Sequence, residues 1–236
     1  MWDFEQGEIL AFDKPLRWTS FDLVAKVRYN LCRKLGTKKL KVGHTGTLDP
    51  LATGVVVICT GKKTKLIDQL QYDIKEYEAT LQLGATTPSY DMEKEVDQTY
   101  PTAHITRELI DRTIPQFLGE QWQVPPMFSA VQINGKRAYE LARKGQEVEL
   151  KPKLLKIDEI EVLAFDEASM LLTIRVVCSK GTYIRALARD IGERLESGAY
   201  LTALRRTRVG AIRVENCYTI DRFLEELNTY EYVQNK

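Results

Sequence analysis

Residues 43–59 read Gly43-His44-Thr45-Gly46-Thr47-Leu48-Asp49-Pro50-Leu51-Ala52-Thr53-Gly54-Val55-Val56-Val57-Ile58-Cys59, a glycine-punctuated polar loop that runs straight into five apolar residues. An unbroken apolar run between Gly54 and Gly61 predicts a short strand buried on both faces. Downstream, Tyr77, Ala79, Leu81 and Leu83 alternate with Glu78, Thr80 and Gln82. That period of two predicts a strand with one wet face and Tyr77 on the dry one. Upstream, Gly7 to Phe12 reads as a strand. Ser20 is placed to cap a helix whose stripe Val24, Val27, Leu31, Leu35 ends at Gly36, with Lys26 and Arg33 on the exposed face.

Further along, Ile105 to Phe117 reads as a helix capped by Thr106 and stopped at Gly119. Phe128 to Ile133 reads as a strand that turns at Asn134-Gly135 into a basic helix, Lys136 to Lys144. Leu155 to Leu163 and Leu171 to Cys178 are two more strands. Thr182 is then placed to cap a helix with the stripe Ile184, Leu187, Ala188, Ile191, Leu195. Strands, helix, strands, helix without a repeated βα unit predict an α+β fold.

The 236 residues carry 34 Lys+Arg and 33 Asp+Glu, and 44% are hydrophobic, which suits a globular core and argues against disorder. With no long apolar run and an acidic start, MWDFEQGEIL, the expectation is a soluble, cytoplasmic chain with no membrane partner. Cys32, Cys59, Cys178 and Cys217 form no paired motif and there are two histidines, His44 and His104, so neither a structural metal nor a disulfide framework is expected. The near-zero net charge conceals segregation. Between Leu23 and Ile67 there are ten basic residues and one acid, Asp49. Lys136, Arg137, Arg143 and Lys144, then Arg205, Arg206, Arg208 and Arg213, form two more basic groups. Such patches suit a phosphate backbone; ordinary solvated faces fit them equally well.

Pro50 biases Asp49 towards extended backbone, Gly43 and Gly46 permit close ligand approach, and ten neighbouring cations favour the charged carboxylate. Three readings fit Asp49: a nucleophile or base, an Asx turn that organises the loop, or part of a phosphate-cradling loop, the last without the Lys-Ser/Thr of a P-loop. Arg185 sits near the start of its helix, where the macrodipole disfavours a cation unless an anion is close. Arg189 has Glu193 as a surface partner; Arg185 has none in sequence. Tyr77 is either core or a stacking platform, and His44 structural or functional.

These segments, with Asp13-Lys14-Pro15, Trp18-Thr19-Ser20, Pro125-Pro126-Met127-Phe128-Ser129-Ala130, Asn134-Gly135-Lys136-Arg137-Ala138-Tyr139-Glu140, Ser179-Lys180-Gly181-Thr182-Tyr183-Ile184-Arg185 and Leu204-Arg205-Arg206, resemble the bacterial tRNA pseudouridine-55 synthases, the TruB family. The resemblance covers residues 8 to about 210. It implies a pseudouridine synthase catalytic fold: a mixed, mostly antiparallel central sheet with flanking helices and an RNA-gripping thumb excursion at 124–150. It also implies conversion of the T-loop uridine of tRNA to pseudouridine by base flipping, without cofactor or metal. Carried over, Asp49 is the nucleophile, Arg185 its ion-pair partner and Tyr77 the aromatic on which the flipped uracil stacks. His44, with Thr45 and Gly46, meets the T loop. Lys14 and Leu204 line the pocket. From the charge pattern, Lys26, Arg33, Lys38, Lys39, Lys62, Lys63, Lys136, Arg137, Arg205 and Arg206 are the cations expected to hold the RNA backbone, though only some can face it at once.

Two departures accompany the resemblance. The loop Thr87-Pro88-Ser89-Tyr90, then Met92-Glu93-Lys94, differs from the Thr-Asp-Thr pattern of many relatives. The acidic tail 214–236 is too short for the C-terminal RNA-binding module that many of them carry, so residues 1–236 are expected to form a single catalytic domain, a monomer that binds the T stem-loop of tRNA. The contrasting reading is a tRNA-binding folding chaperone, which needs the basic faces and the thumb but not Asp49.

Overall fold

A computed structural model describes residues 2–71, 74–129, 131–133, 135–142, 144–146 and 149–230. Asn134 of the anticipated turn, Arg143 of the thumb, Ala130 and the last six tail residues lie outside the described residues. The strands are β1 (Ile9–Lys14), β2 (Val42–His44), β3 (Ala52–Thr60), β4 (Lys75–Leu83), β5 (Ala85–Thr86), β6 (Gln98–Thr99), β7 (Gly119–Gln123), β8 (Gln132–Ile133), β9 (Lys136–Arg137), β10 (Lys153–Asp166), β11 (Leu171–Cys178), β12 (Ala199–Val209) and β13 (Ile212–Arg213). The helices are α1 (Ser20–Leu35), α2 (Ile67–Leu70), α3 (Arg107–Thr113), α4 (Ala138–Ala142), α5 (Ile184–Arg194) and α6 (Ile220–Thr229). The chain forms two compact units, residues 1–76 with 205–236, and residues 77–204.

In the first unit β3 is the central strand, buried almost throughout, as an apolar run without alternation requires. β1 pairs with it antiparallel from Ile9↔Cys59 to Lys14↔Gly54, and β2 pairs with its far end, Val42↔Thr60 to His44↔Ile58. The first strand therefore begins at Ile9 rather than Gly7, whose φ of 120° belongs to a turn. Val55, Val57, Val209 and Cys217 form a buried cluster on β3, with Ala11, Ile212 and Val214 at its margin. Phe12 meets Phe223 of α6 edge to face at 5.1 Å. Helix α1 buries Leu23, Val24, Val27, Leu31 and Leu35 and ends at Gly36 in the left-handed region, φ 65°.

Its cap is Thr19, not Ser20. Thr19 Oγ1 accepts the Asp22 N–H while the Asp22 carboxylate accepts the Thr19 N–H, a reciprocal capping box. Ser20 is thereby left free to bond elsewhere. Its hydroxyl accepts the Leu48 N–H at 2.8 Å and so ties α1 to the loop before β3.

In the second unit β10 is a long strand, with bulges near Ile157 and Val162, that pairs antiparallel with β11 on one side and β7 on the other. β4 bears the expected dry face of Tyr77, Ala79, Leu81 and Leu83. Its Thr80 hydroxyl bonds Thr173 of β11 at 3.1 Å, and its Thr80 carbonyl accepts the Thr202 hydroxyl of β12 at 3.2 Å. α5 buries Ile184, Leu187, Ala188 and Ile191. Its Gly192 admits the β12 backbone so closely that a Cβ there would meet Ala199 N. Tyr183, not Thr182, is the residue that precedes α5, because the Thr182 hydroxyl donates instead to Ser179 O at 3.0 Å.

The excursion at 124–150 carries the hairpin β8–β9, with registers Gln132↔Arg137 and Ile133↔Lys136 around Gly135, φ 80°. Lys136 and Arg137 thus lie in a strand and the helix starts only at Ala138, since a tight glycine turn pairs the residues that follow it. The α+β class and the mostly antiparallel sheet with flanking helices stand as expected. No helix among the described residues is long and apolar enough to cross a membrane.

Candidate active site

Within the first unit, the loop between β2 and β3 presents Asp49, half-buried, in a turn closed by a main-chain bond from Ala52 N to Asp49 O at 3.0 Å. Two anchors hold that loop. On one side the Ser20 hydroxyl takes the Leu48 N–H. On the other stands Arg206 of β12, 3% exposed, whose Nε donates to Val55 O at 2.7 Å, Nη1 to Thr47 O at 3.3 Å and Nη2 to Gly46 O at 3.2 Å. A planar guanidinium suits this bracing role because its donors leave in fixed directions. The β3 backbone approaches β12 so closely here that a Cβ on Gly54, φ 109°, would run into the Arg206 carbonyl.

Arg206 therefore does not belong with the cations expected to hold an RNA backbone. Its charge is spent on three carbonyls, and a buried guanidinium left without such acceptors would be costly. Its neighbours are also engaged: Arg205 holds Asp13 at 2.8 Å and Thr53 at 3.1 Å, and Arg208 holds Glu76 at 3.3 Å. Arg205 nonetheless keeps 40% of its side chain exposed.

Lys14, at the end of β1, is fully buried and donates to Trp18 O at 2.6 Å and Pro15 O at 3.0 Å. Burial lowers its pKa to about 8; Asp49's charge acts in the opposite direction, and Arg206 pushes it further down. The unfolded chain then holds this proton up to about pH 10.5 while the native chain releases it near 8, so unfolding takes up protons in that window and stability must rise with pH across it. We expect denaturant titrations of wild type, referenced to Lys14→Met, to show a rising difference between pH 8 and 10.5, with a slope of at most about 1.4 kcal/mol per pH unit. A flat difference would mean that Lys14 is solvated in the native state.

His44 is half-buried, and its Nδ1 has no hydrogen-bond partner. Burial, then the Arg206 charge, hold its pKa below the ordinary histidine value, so the ring is neutral at pH 7. Thr45 is buried, with its N–H on Val57 O at 3.0 Å. Gly46 has open space where a side chain would stand. Lys62 lies on the turn after β3, with Nζ on Gln6 Oε1 at 2.7 Å.

In the second unit Tyr77 is 8% exposed on the dry face of β4, Leu204 is half-buried on β12, and Lys136 and Arg137 are exposed on the hairpin. Arg185, second residue of α5, is 5% exposed, which excludes a solvated surface arginine. Nη1 donates to Ser89 O at 3.2 Å and Nη2 to Phe128 O at 2.9 Å, while Nε lies 3.7 Å from Asp91 Oδ2. Asp91 carries no signal in the sequence because it stands in an acidic run. Here it is buried, and its carboxylate takes the Glu93 N–H at 2.9 Å while its carbonyl accepts the Thr87 hydroxyl. The divergent 87–94 loop is thus an ordered support for Arg185. Among the described residues no three His, Cys, Asp or Glu side chains gather as metal ligands would.

Comparisons with known proteins agree with this arrangement of motifs. Residues 33–184 match the model of the TruB family pseudouridylate synthase N-terminal domain, and residues 185–235 that of the tRNA pseudouridylate synthase B C-terminal domain. The chain is 64% identical to a tRNA pseudouridine synthase B of Phocaeicola vulgatus, covering 97% of both chains, and 51% identical to that of Flavobacterium johnsoniae, covering 95% and 98%. Among solved structures it is similar to a chain from a crystal structure of a Cbf5-Nop10-Gar1 complex, with TM-score 0.70, 28% identity and coverage of 94% of this chain. It spans 54% of that longer chain. With motifs, fold and relatives in accord, the chain belongs to the TruB family of pseudouridylate synthases.

Proposed function

We propose that this protein isomerises uridine 55 in the T loop of tRNA to pseudouridine, acting as a cytoplasmic monomer without cofactor or metal. The observation that carries the proposal is the doubly anchored loop: Ser20 and Arg206 hold the peptides of Gly46, Thr47 and Leu48, so the carboxylate one residue on is presented from a fixed backbone. Identity of 64% over 97% of a relative named tRNA pseudouridine synthase B supports the substrate.

The target base is buried in the folded tRNA and must be extruded, at a cost of a few kcal/mol, and held by stacking. Tyr77 serves as that platform and is one candidate to take the C5 proton. Asp49 attacks uracil C6 or ribose C1′, the glycosidic N1–C1′ bond breaks, C5 bonds to C1′, the bond to Asp49 is cleaved so that its carboxylate is regenerated, and C5 loses its proton while N1 gains one. Arg185 is the ion-pair partner of Asp49. Neutral His44, with Thr45 and Gly46, meets the loop where the base has left; Lys14 and Leu204 line the base pocket; Lys62, Lys136, Arg137 and Arg205 contact the backbone. The test is incubation of purified protein with an unmodified tRNA transcript and mapping of pseudouridine. Modification at position 55 is expected, whereas tight tRNA binding by folded protein without product would establish the chaperone reading instead.

A thumb that grips phosphates carries a further expectation. Lys136→Ala with Arg137→Ala should weaken tRNA binding and flatten the log–log salt slope by about one to two, at roughly 0.7 to 0.9 per phosphate contact. An unchanged slope and affinity would reduce the hairpin to a solvated face.

A further inference from the structure

Arg17 sits in the turn between β1 and α1 with φ 67°, a left-handed conformation that glycine adopts far more readily than arginine. Its N–H donates to Pro50 O at 2.7 Å, so this strained turn is tied to the residue after Asp49, while its side chain is exposed. Strain retained beside a reactive loop points from the outlier towards a function of the side chain.

The surface that begins at Arg17 has an unusual composition. Phe21 and Tyr29 are each 65% exposed on the face of α1 opposite the buried Leu23, Val27 and Leu31. Lys26, Arg28 and Arg33 are exposed beside them. Several arginines elsewhere are matched to carboxylates, Arg175 to Glu159, Arg189 to Asp190, Arg205 to Asp13 and Arg222 to Glu226, whereas Arg112 and Arg194 donate to Glu108 O and Gln116 Oε1. Among the described residues no carboxylate pairs with Arg17, Lys26, Arg28 or Arg33. The one acid on that side of the helix, Asp22, is taken up in the capping box. Cations interleaved with exposed, partly apolar rings suit the phosphates and ribose edges of an RNA duplex, which is read by shape and backbone rather than by its stacked bases. A 16-residue helix is about 24 Å long, the reach of several base-pair steps.

We propose that Arg17, Phe21, Lys26, Arg28, Tyr29 and Arg33 form a second RNA-docking surface, which grips the duplex stem adjoining the loop that carries the target uridine. This rests on the tRNA reading above. It starts at Arg17, hydrogen-bonded to the residue after Asp49, and runs away along α1, so it rewards substrates with an intact stem over the loop alone.

The test compares wild type, Arg17→Gly and the double variant Arg28→Ala/Arg33→Ala on a tRNA transcript and on a hairpin with the same loop and a truncated stem. Arg17→Gly relieves the backbone strain, so its melting temperature should stay or rise while tRNA affinity falls about fivefold or more, a separation that a merely structural arginine would not produce. The α1 pair should flatten the salt slope for tRNA by about one and a half and raise KM more than it lowers kcat. The truncated hairpin should be nearly indifferent to the α1 pair. Wild-type tRNA affinity and slope in both variants would overturn the proposal. Loss of binding to phosphatidylglycerol vesicles with tRNA binding intact would likewise overturn it and assign the ridge to a membrane. A wild type that forms no pseudouridine, yet whose tRNA affinity depends on the ridge, would refute the functional reading and leave the docking surface standing.

Discussion

Asp49→Asn is expected to lower pseudouridine formation by at least about 10⁴-fold, the scale on which enzymes lose activity when a nucleophile is removed. The replacement is nearly isosteric, and the peptides before it remain pinned by Ser20 and Arg206, so the loop should keep its shape. Affinity for tRNA should change by less than about threefold and the salt slope not at all, because in the proposed reaction the carboxylate meets the base and not the backbone. Lys14 supplies an independent readout. Asp49's charge raises the Lys14 pKa, so its removal must push that pKa further below 8 and extend the pH window of rising stability downwards. Pseudouridine mapping under single-turnover conditions decides the main claim. Turnover near wild type would redirect attention to Asp91, the buried carboxylate beside Arg185.

Arg206→Ala should have the largest effect on stability, and it tests the loop anchor. It strips the carbonyls of Val55, Thr47 and Gly46 of their donor in a place that is 3% exposed. With a penalty of about 1–3 kcal/mol for each acceptor left unsatisfied, partly relieved by entering water, a loss of roughly 3–5 kcal/mol is expected. Arg206→Lys keeps the charge but not the planar fork, so it should recover only part of that stability. Measured below its melting transition, Arg206→Lys should lower kcat at least tenfold with little change in KM, because a loosened loop misplaces Asp49 without altering the surface that meets RNA. His44 should also titrate higher in Arg206→Ala, since a charge that lowers its pKa is gone. A lysine variant with wild-type stability and kcat would show that the three-pronged contact is dispensable.

Several features of this protein are legible in the chain itself because they depend on nearby residues. The buried strand after Gly54, the one-faced strand through Tyr77 and the stripe of α1 follow from hydrophobic period alone, and the motif around Asp49 from its own order. Where two residues of one type compete, period is silent. Thr19 and Ser20 can both cap a helix, and the choice is made by Leu48, whose N–H engages the Ser20 hydroxyl. The strand β12 is hidden by its arginines, which read as a basic patch because their partners Asp13 and Glu76 lie 192 and 132 residues away. Arg206 and Lys14 show the same limit most sharply. The basic grouping sets Arg206 among cations that suit a phosphate backbone, and the resemblance implies only that Lys14 lines a pocket; tertiary packing buries both against backbone carbonyls. Whether a cation faces a ligand or braces the loop that holds Asp49 depends on which acceptors the fold brings within about 3 Å, and long-range contacts alone set that distance.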